Sequence, residues 1–314
     1  MKLAPICLFT YNRLTETKQT VQALKNNFLA KDSELYVFSD GSINRNSTLK
    51  IHAVRDFLKT VDGFKNVTIY ESEENKGLAN SIISGITKVF ETYESVIILE
   101  DDLITTPNFL DFMNKALDYY KEDCSIYAVN AFSPLIKNID ADVYYLHSRA
   151  FPWGWGTWSS CWKEEYFDKD KIREYIALNP GVLEEFDKYN GEDASEMLLR
   201  TLDNKISSWY IRWVFKNYLE NRKAVFPSLS KVKNIGDSED ATHYTGGVSA
   251  YNFKMDTLFK TNFDFKKTFS LGVTDYRFLK YFSKKYKLIY RLKLLTTCKG
   301  VKMIIQEFKA KFFK

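Results

Sequence analysis

The stretch SVIILEDDL (residues 95–103) runs from four apolar residues, Val96 to Leu99, straight into Glu100, Asp101 and Asp102, and turns apolar again at Leu103. A short apolar run of this kind reads as a strand buried on both faces. Three adjacent carboxylates repel one another, so their place at the tip of a buried strand calls for a positive partner. In sheets whose strands alternate with helices, ligands bind beyond the carboxyl ends of the strands. The fold therefore turns on whether the rest of the chain alternates.

Upstream it does. Residues 3–10 (LAPICLFT), 34–42 (ELYVFSDGS) and 66–72 (NVTIYES) read as strands. Helical spacing covers 14–27, with Thr15 as its cap, 47–61, 77–93 and 107–121; in 77–93, Leu78, Ile82, Ile86, Val89 and Phe90 share a face. These spacings suit right-handed crossovers and predict an α/β fold, a mostly parallel sheet with helices on both faces. The strand ends carry 10–13, Asp40 and Gly41, 71–76 and 100–102, four polar clusters that the topology sends to one crevice.

Downstream the pattern loosens. Residues 125–133 and 141–148 read as strands, 192–222 as mainly helical, and 221–236 as strand and loop. FPWGWGTWSSCW (151–162) reads as a Gly-rich loop carrying four tryptophans. Without an internal repeat or linker, residues 1–276 read as one unit, a regular half (1–122) and a less regular half (123–276), followed by a tail (277–314).

Composition narrows the class. The 314 residues are 45% hydrophobic and 27% charged, which is ordinary for a soluble globular chain. At 16%, aromatics are numerous enough to serve both core and sugar- or nucleotide-stacking surfaces. Cys7, Cys124, Cys161 and Cys298 show no CxxC spacing, which excludes a zinc framework and fits a reducing cytoplasm. No signal-peptide h-region and no long apolar window are present, so neither secretion nor a membrane span is expected.

Carboxylates at a strand tip suit a hard divalent cation, Mn²⁺ or Mg²⁺, which takes one or two protein oxygens and completes its shell with substrate phosphates. A solvated acidic turn is the plain alternative. Asp40 is either the first residue of an Asp-Gly turn or an acceptor for the imide N–H of a uracil. Arg13 is either a surface charge or faces a nucleotide. Asn75 and Lys76 stand where a helix begins, a place that favours anions.

LFTYNR, FSDG, ESEENKGLANSI, ILEDDL, WGWGTW and WYIRW…FPSLSKVKNIG…TH occur in an order that resembles bacterial glycosyltransferases of the GT-A fold. The likeness is to family-2-like sugar transferases related to the N-acetylglucosaminyltransferase I branch and spans roughly residues 3–245. It implies an inverting enzyme with a nucleotide-sugar donor, a UDP-sugar if Asp40 reads uracil, a divalent metal and a glycan or lipid-linked acceptor of surface polysaccharide or lipopolysaccharide synthesis. On that likeness Asp102 holds the metal, Asp101 lies by the donor ribose or sugar with Glu100 in support, and Thr10 and Arg13 flank the nucleotide. Trp153 and Trp155 belong to a loop closing over the donor sugar, or to a hydrophobic cap on the sheet. The family's acid before WYIRW is replaced by Ser207, a poor base unaided. Asp203 is the substitute candidate as catalytic base, ahead of Asp193 and Glu196. His243 is either a late-loop metal ligand or an ordinary hydrogen-bonding residue.

Two other functions compete. A sugar-1-phosphate nucleotidyltransferase needs a Gly-rich phosphate loop after the first strand, and TYNRLTETKQT has no Gly. A catalytically degenerate, membrane-associated scaffold stays open because of Ser207.

From Arg277 to Lys314, twelve Lys or Arg stand against one acid, Glu307, whereas the first 276 residues carry 33 basic and 39 acidic side chains. Apolar residues recur at helical spacing in this tail: Phe278, Phe282, Tyr286 and Ile289 on one face, Val301, Ile304, Ile305, Phe308 and Phe312 on another. That composition fits a helix on an anionic membrane surface, placing the enzyme at the inner face of the cell membrane, or a helix packed on the body with a solvated basic face. Without a nucleic-acid motif beside the charge, no nucleic-acid partner is expected.

Overall fold

A computed structural model describes residues 2–236, 251–272, 274–298, 300–302, 304 and 305. Four strands of the first half, β1 (Ile6–Thr10), β2 (Glu34–Ser39), β3 (Asn66–Glu71) and β4 (Ser95–Glu100), alternate with α1 (Leu14–Lys25), α2 (Arg45–Leu58) and α3 (Gly77–Phe90). All four strands are parallel, in the order β3-β2-β1-β4. Every residue of β1 is buried, as is Val96 to Leu99 of β4, which is why their sequences run apolar instead of alternating. The α/β expectation from the sequence holds.

The chain then continues through β5 (Leu103–Thr105), α4 (Phe109–Tyr120), β6 (Ile126–Asn130), β7 (Tyr144–His147) and β8 (Trp155–Trp158). Here the structure corrects the sequence reading. The middle third of the supposed Trp loop is β8, a fully buried strand that pairs antiparallel with both β4 and β6 and joins the two halves of the molecule. Gly156 made it look like a loop. Its missing side chain is what admits the strand, since a Cβ there would sit 2.9 Å from Val96 O and 3.0 Å from Met113 Cε.

Four helices follow, α5 (Lys169–Leu178), α6 (Val182–Asn190), α7 (Ala194–Leu202) and α8 (Trp209–Leu219), then β9 (Lys223–Pro227), β10 (Val232–Asn234), β11 (Thr268–Ser270), α9 (Tyr276–Leu279) and α10 (Lys284–Leu294). Nine strands form one sheet in the order β11-β7-β9-β6-β8-β4-β1-β2-β3, and β10 pairs with β5 as a separate antiparallel ribbon. One hydrophobic core spans both halves and includes Phe278, Tyr281 and Phe282. The body thus extends past residue 276, and the predicted shared face of the tail is split: Phe278 and Phe282 are core, Tyr286 is half-buried and Ile289 is exposed. No helix among the described residues is long and apolar enough to cross a membrane.

Candidate active site

β1 has β2 on one side and β4 on the other, so the strand order reverses between β1 and β4. A crevice opens at such a point beyond the strand ends. Arg13, just after β1, and Asp101 and Asp102, just after β4, meet there. The Arg13 guanidinium donates to Asp101 Oδ1 through one nitrogen and lies 3.1 Å from Asp102 Oδ2 through another. All three side chains are largely buried. Asp101 Oδ2 also accepts from the Tyr11 backbone N–H at 3.3 Å.

The turn carrying the acids is fastened from beneath and from above. Thr20 Oγ1, on α1, donates to the Asp101 carbonyl at 2.9 Å and accepts from the Leu103 N–H at 3.1 Å. The Ile235 N–H donates to the Asp102 carbonyl at 2.8 Å, and Gly236 lies so close to Asp102 Oδ2 that no Cβ fits between them. Neither Thr20 nor Gly236 was singled out from the sequence for this contact, because it exists only once α1 and the β5–β10 ribbon have closed on the turn.

Three carboxylates share one guanidinium. Burial, then the charges of Asp102 and Asp101, push the Glu100 carboxyl up to about 8. Burial raises Asp101 to about 6 even against the pull of Arg13. Burial would lower Arg13, yet the two aspartates reverse that and raise it. The cluster therefore holds more negative charge than its own cation neutralises. That excess fits a divalent cation. Among the described residues no group of three or more His, Cys, Asp or Glu forms a closed metal site. A hard cation using Asp102 and phosphate oxygens needs none.

Asp40 has a structural task that the sequence did not reveal. Its Oδ1 accepts from the backbone N–H groups of Gly41 and Lys76, both at 2.9 Å, and its Oδ2 from Gly77 at 3.0 Å. The anion at the α3 N-terminus is thus Asp40 itself, which corrects the reading of Asn75 and Lys76 as a ready anion site. Asn75 Nδ2 donates to the Gly41 carbonyl at 2.8 Å, and the Lys76 side chain is exposed. The β2 end and the α3 start are welded into one rim of the crevice. Thr10 is buried at the end of β1, and its hydroxyl has no hydrogen-bond partner.

The remaining candidates separate. Trp155 is 1% exposed and packs between Trp209, stacked at 5.0 Å, and Trp213 at 4.6 Å. No face of it is left for a sugar, so the donor contact expected of Trp155 gives way to a core role. Trp153 is half-buried, edge-on to Phe132 at 4.7 Å and to Tyr251 at 5.4 Å. Asp203 closes α7, exposed, with Lys205 Nζ 2.9 Å away holding it below the usual carboxylate range. The charges that act on it are those of Lys205 and of Arg173 of α5. Asp193 is locked between Arg149 (2.6 Å) and Lys287 (3.0 Å), and exposed Glu196 faces Arg200. Ser207 is exposed before α8, which Ser208 caps. Thr15 is not the α1 cap; Arg13 stands there, its side chain turned to the acids. His243 lies outside the described residues.

No curated protein matches. Among solved structures, a mannosyltransferase from Pyrobaculum calidifontis in complex with GDP-Man and Mn²⁺ is 14% identical over 51% of this chain and 46% of that one, with a TM-score of 0.37. S. aureus TarS is 17% identical over 46% of this chain and 24% of that one (TM-score 0.30), and its fragment 1–349 is 13% identical over 74% and 60% (TM-score 0.37). The chain spans less than two thirds of each of these proteins. The family model for glycosyl transferase family 2 matches residues 6–180, more than half of the chain, and takes in seven of the nine strands of the sheet and the Arg13–Asp101–Asp102 cluster. The chain belongs to glycosyl transferase family 2.

Proposed function

We propose that this protein is a metal-dependent inverting glycosyltransferase that takes a sugar from a nucleoside diphosphate donor, UDP-linked by preference, and passes it to a glycan or lipid-linked acceptor in cytoplasmic assembly of surface polysaccharide. The observation that supports this best is the convergence of Arg13 with Asp101 and Asp102 at the β1/β4 reversal, in a cluster short of positive charge. Asp102 would hold Mn²⁺ or Mg²⁺, which when bound offsets charge on the departing diphosphate. Arg13 and Asp101 would orient the nucleotide and ribose, and Thr10 would offer its unpaired hydroxyl to the nucleotide. Trp153 would flank the sugar. Asp40 would shape the base pocket chiefly by fixing the α3 N-terminus.

Calorimetric titration of UDP with and without Mn²⁺ tests this. Wild type should bind UDP only with metal, and Asp102→Asn should lose that dependence. If the wild type binds no nucleoside diphosphate under either condition, the donor site is wrong. The degenerate-scaffold reading keeps one specific observation, that exposed Asp203 is paired with Lys205 and Ser207 stands before α8 where the family has an acid. It predicts metal-dependent UDP binding with no hydrolysis or transfer of any UDP-sugar.

A further inference from the structure

The basic C-terminal helix has two faces, and the structure shows which one is spoken for. On α10 the inward side presents Tyr286, Tyr290 and Leu294, at i, i+4 and i+8. Tyr286 meets Tyr281 edge-on at 5.0 Å, and Leu294 is buried. Two polar moorings fix the rotation: Lys287 Nζ lies 3.0 Å from Asp193 Oδ2, and the Lys284 backbone N–H donates to Glu192 Oε2 at 2.8 Å. The opposite side, which a water-facing helix fills with polar residues, carries Leu288, Leu292 and Leu295 at 60, 56 and 55% exposure. Lys284, Lys285 and Arg291 border this stripe.

We infer that α10 seats the enzyme on an anionic lipid surface, with Leu288, Leu292 and Leu295 entering the acyl boundary and the flanking lysines over the headgroups. Packing of the tail against the body does not compete with this, because the body already holds the other face. Charge selects lipid over a second copy: no acid occurs from residue 276 to 306, so two such faces would bring like charges together. A leucine stripe bordered by cations is complementary to acyl chains beneath phosphate. This assignment goes beyond the donor reading and does not depend on it.

Cosedimentation of the full chain with vesicles tests it, using phosphatidylcholine alone and phosphatidylcholine mixed with phosphatidylglycerol. Wild type should bind the mixed vesicles and not the neutral ones, and salt should weaken binding. Leu288→Ser/Leu292→Ser/Leu295→Ser and, separately, Lys284→Gln/Lys285→Gln should each weaken it at least tenfold. Both variants should keep the wild-type melting temperature and UDP titration, which report on the fold and the donor site separately. Equal binding to neutral vesicles, undiminished binding by the leucine variant, or no binding overturns the inference. So does a dimer in solution that the leucine variant dissolves while vesicle binding is absent.

Discussion

Arg13 is the resident cation of a site built for more positive charge than it supplies. Removing one member of a largely buried ion pair typically costs about 3–5 kcal/mol, because the remaining charge is left without a partner. Arg13→Ala should therefore lower stability by roughly 3 kcal/mol in urea titration. Mn²⁺ alone should restore part of the loss in the variant and do less for wild type, where Arg13 already faces both aspartates. A variant indifferent to Mn²⁺ would argue against a cation site between these carboxylates.

The pair Lys231–Asp256 allows a pH prediction away from the crevice. Lys231 Nζ lies 2.5 Å from Asp256 Oδ2, which also accepts from Asn108 Nδ2 at 2.9 Å. Burial alone would raise Asp256, yet Lys231 and Asn108 outweigh it and the carboxyl ends below its usual range. Burial meanwhile lowers the Lys231 ammonium, so the pair as a whole is worth less than the aspartate alone suggests. A depressed carboxyl contributes stability that is present above its unfolded value and lost as pH falls through the folded one. The stability gap between wild type and Asp256→Asn should be full at neutral pH and close below about pH 4. A gap that widens on acidification would reverse the assigned sign.

At the scale of elements, β8 separates two tryptophans that look alike in sequence. Trp155 is part of the joint between β8 and α8, and Trp155→Ala should cost about 3–5 kcal/mol. Trp153 packs only at the surface of the aromatic cluster; Trp153→Ala should cost roughly 1 kcal/mol and act instead on the Michaelis constant for the donor. Denaturant titration and donor kinetics on both variants distinguish the two roles. The alternation of strand and helix over residues 3–121 was legible because each strand there is apolar and each helix periodic. β8 was not, because its burial comes from neighbours on both sides and Gly156 removes the pattern that would announce it. The hold of Asp40 on the α3 start was hidden likewise, since that start lies 36 residues away along the chain from the side chain it binds.

For the molecule as a whole, the continuous sheet makes the two halves one unit. All six tryptophans fall between residues 153 and 213, in the second half, whereas far-ultraviolet circular dichroism reads both halves. Coincident midpoints for tryptophan fluorescence and circular dichroism are expected, because β8 cannot leave without exposing the edges of β4 and β6. Separate midpoints would show that the halves unfold independently. The crevice acids were legible as a cluster from EDD alone. The surrounding set was not, because Thr20, Gly236 and the β5–β10 ribbon become neighbours of Asp102 only through the tertiary fold. The same holds for the body's end: Phe278 and Phe282 share a composition with the tail and a core with the sheet.

The ribbon leaves the crevice at Gly236, pressed against Asp102 Oδ2 without room for a methyl group. This position is a mute button for the site. Gly236→Ala would displace the carboxylate by bulk alone, changing neither the charge nor any titrating group, and so would supply an inert version of the enzyme whose surface, net charge and lipid-facing helix are those of the original.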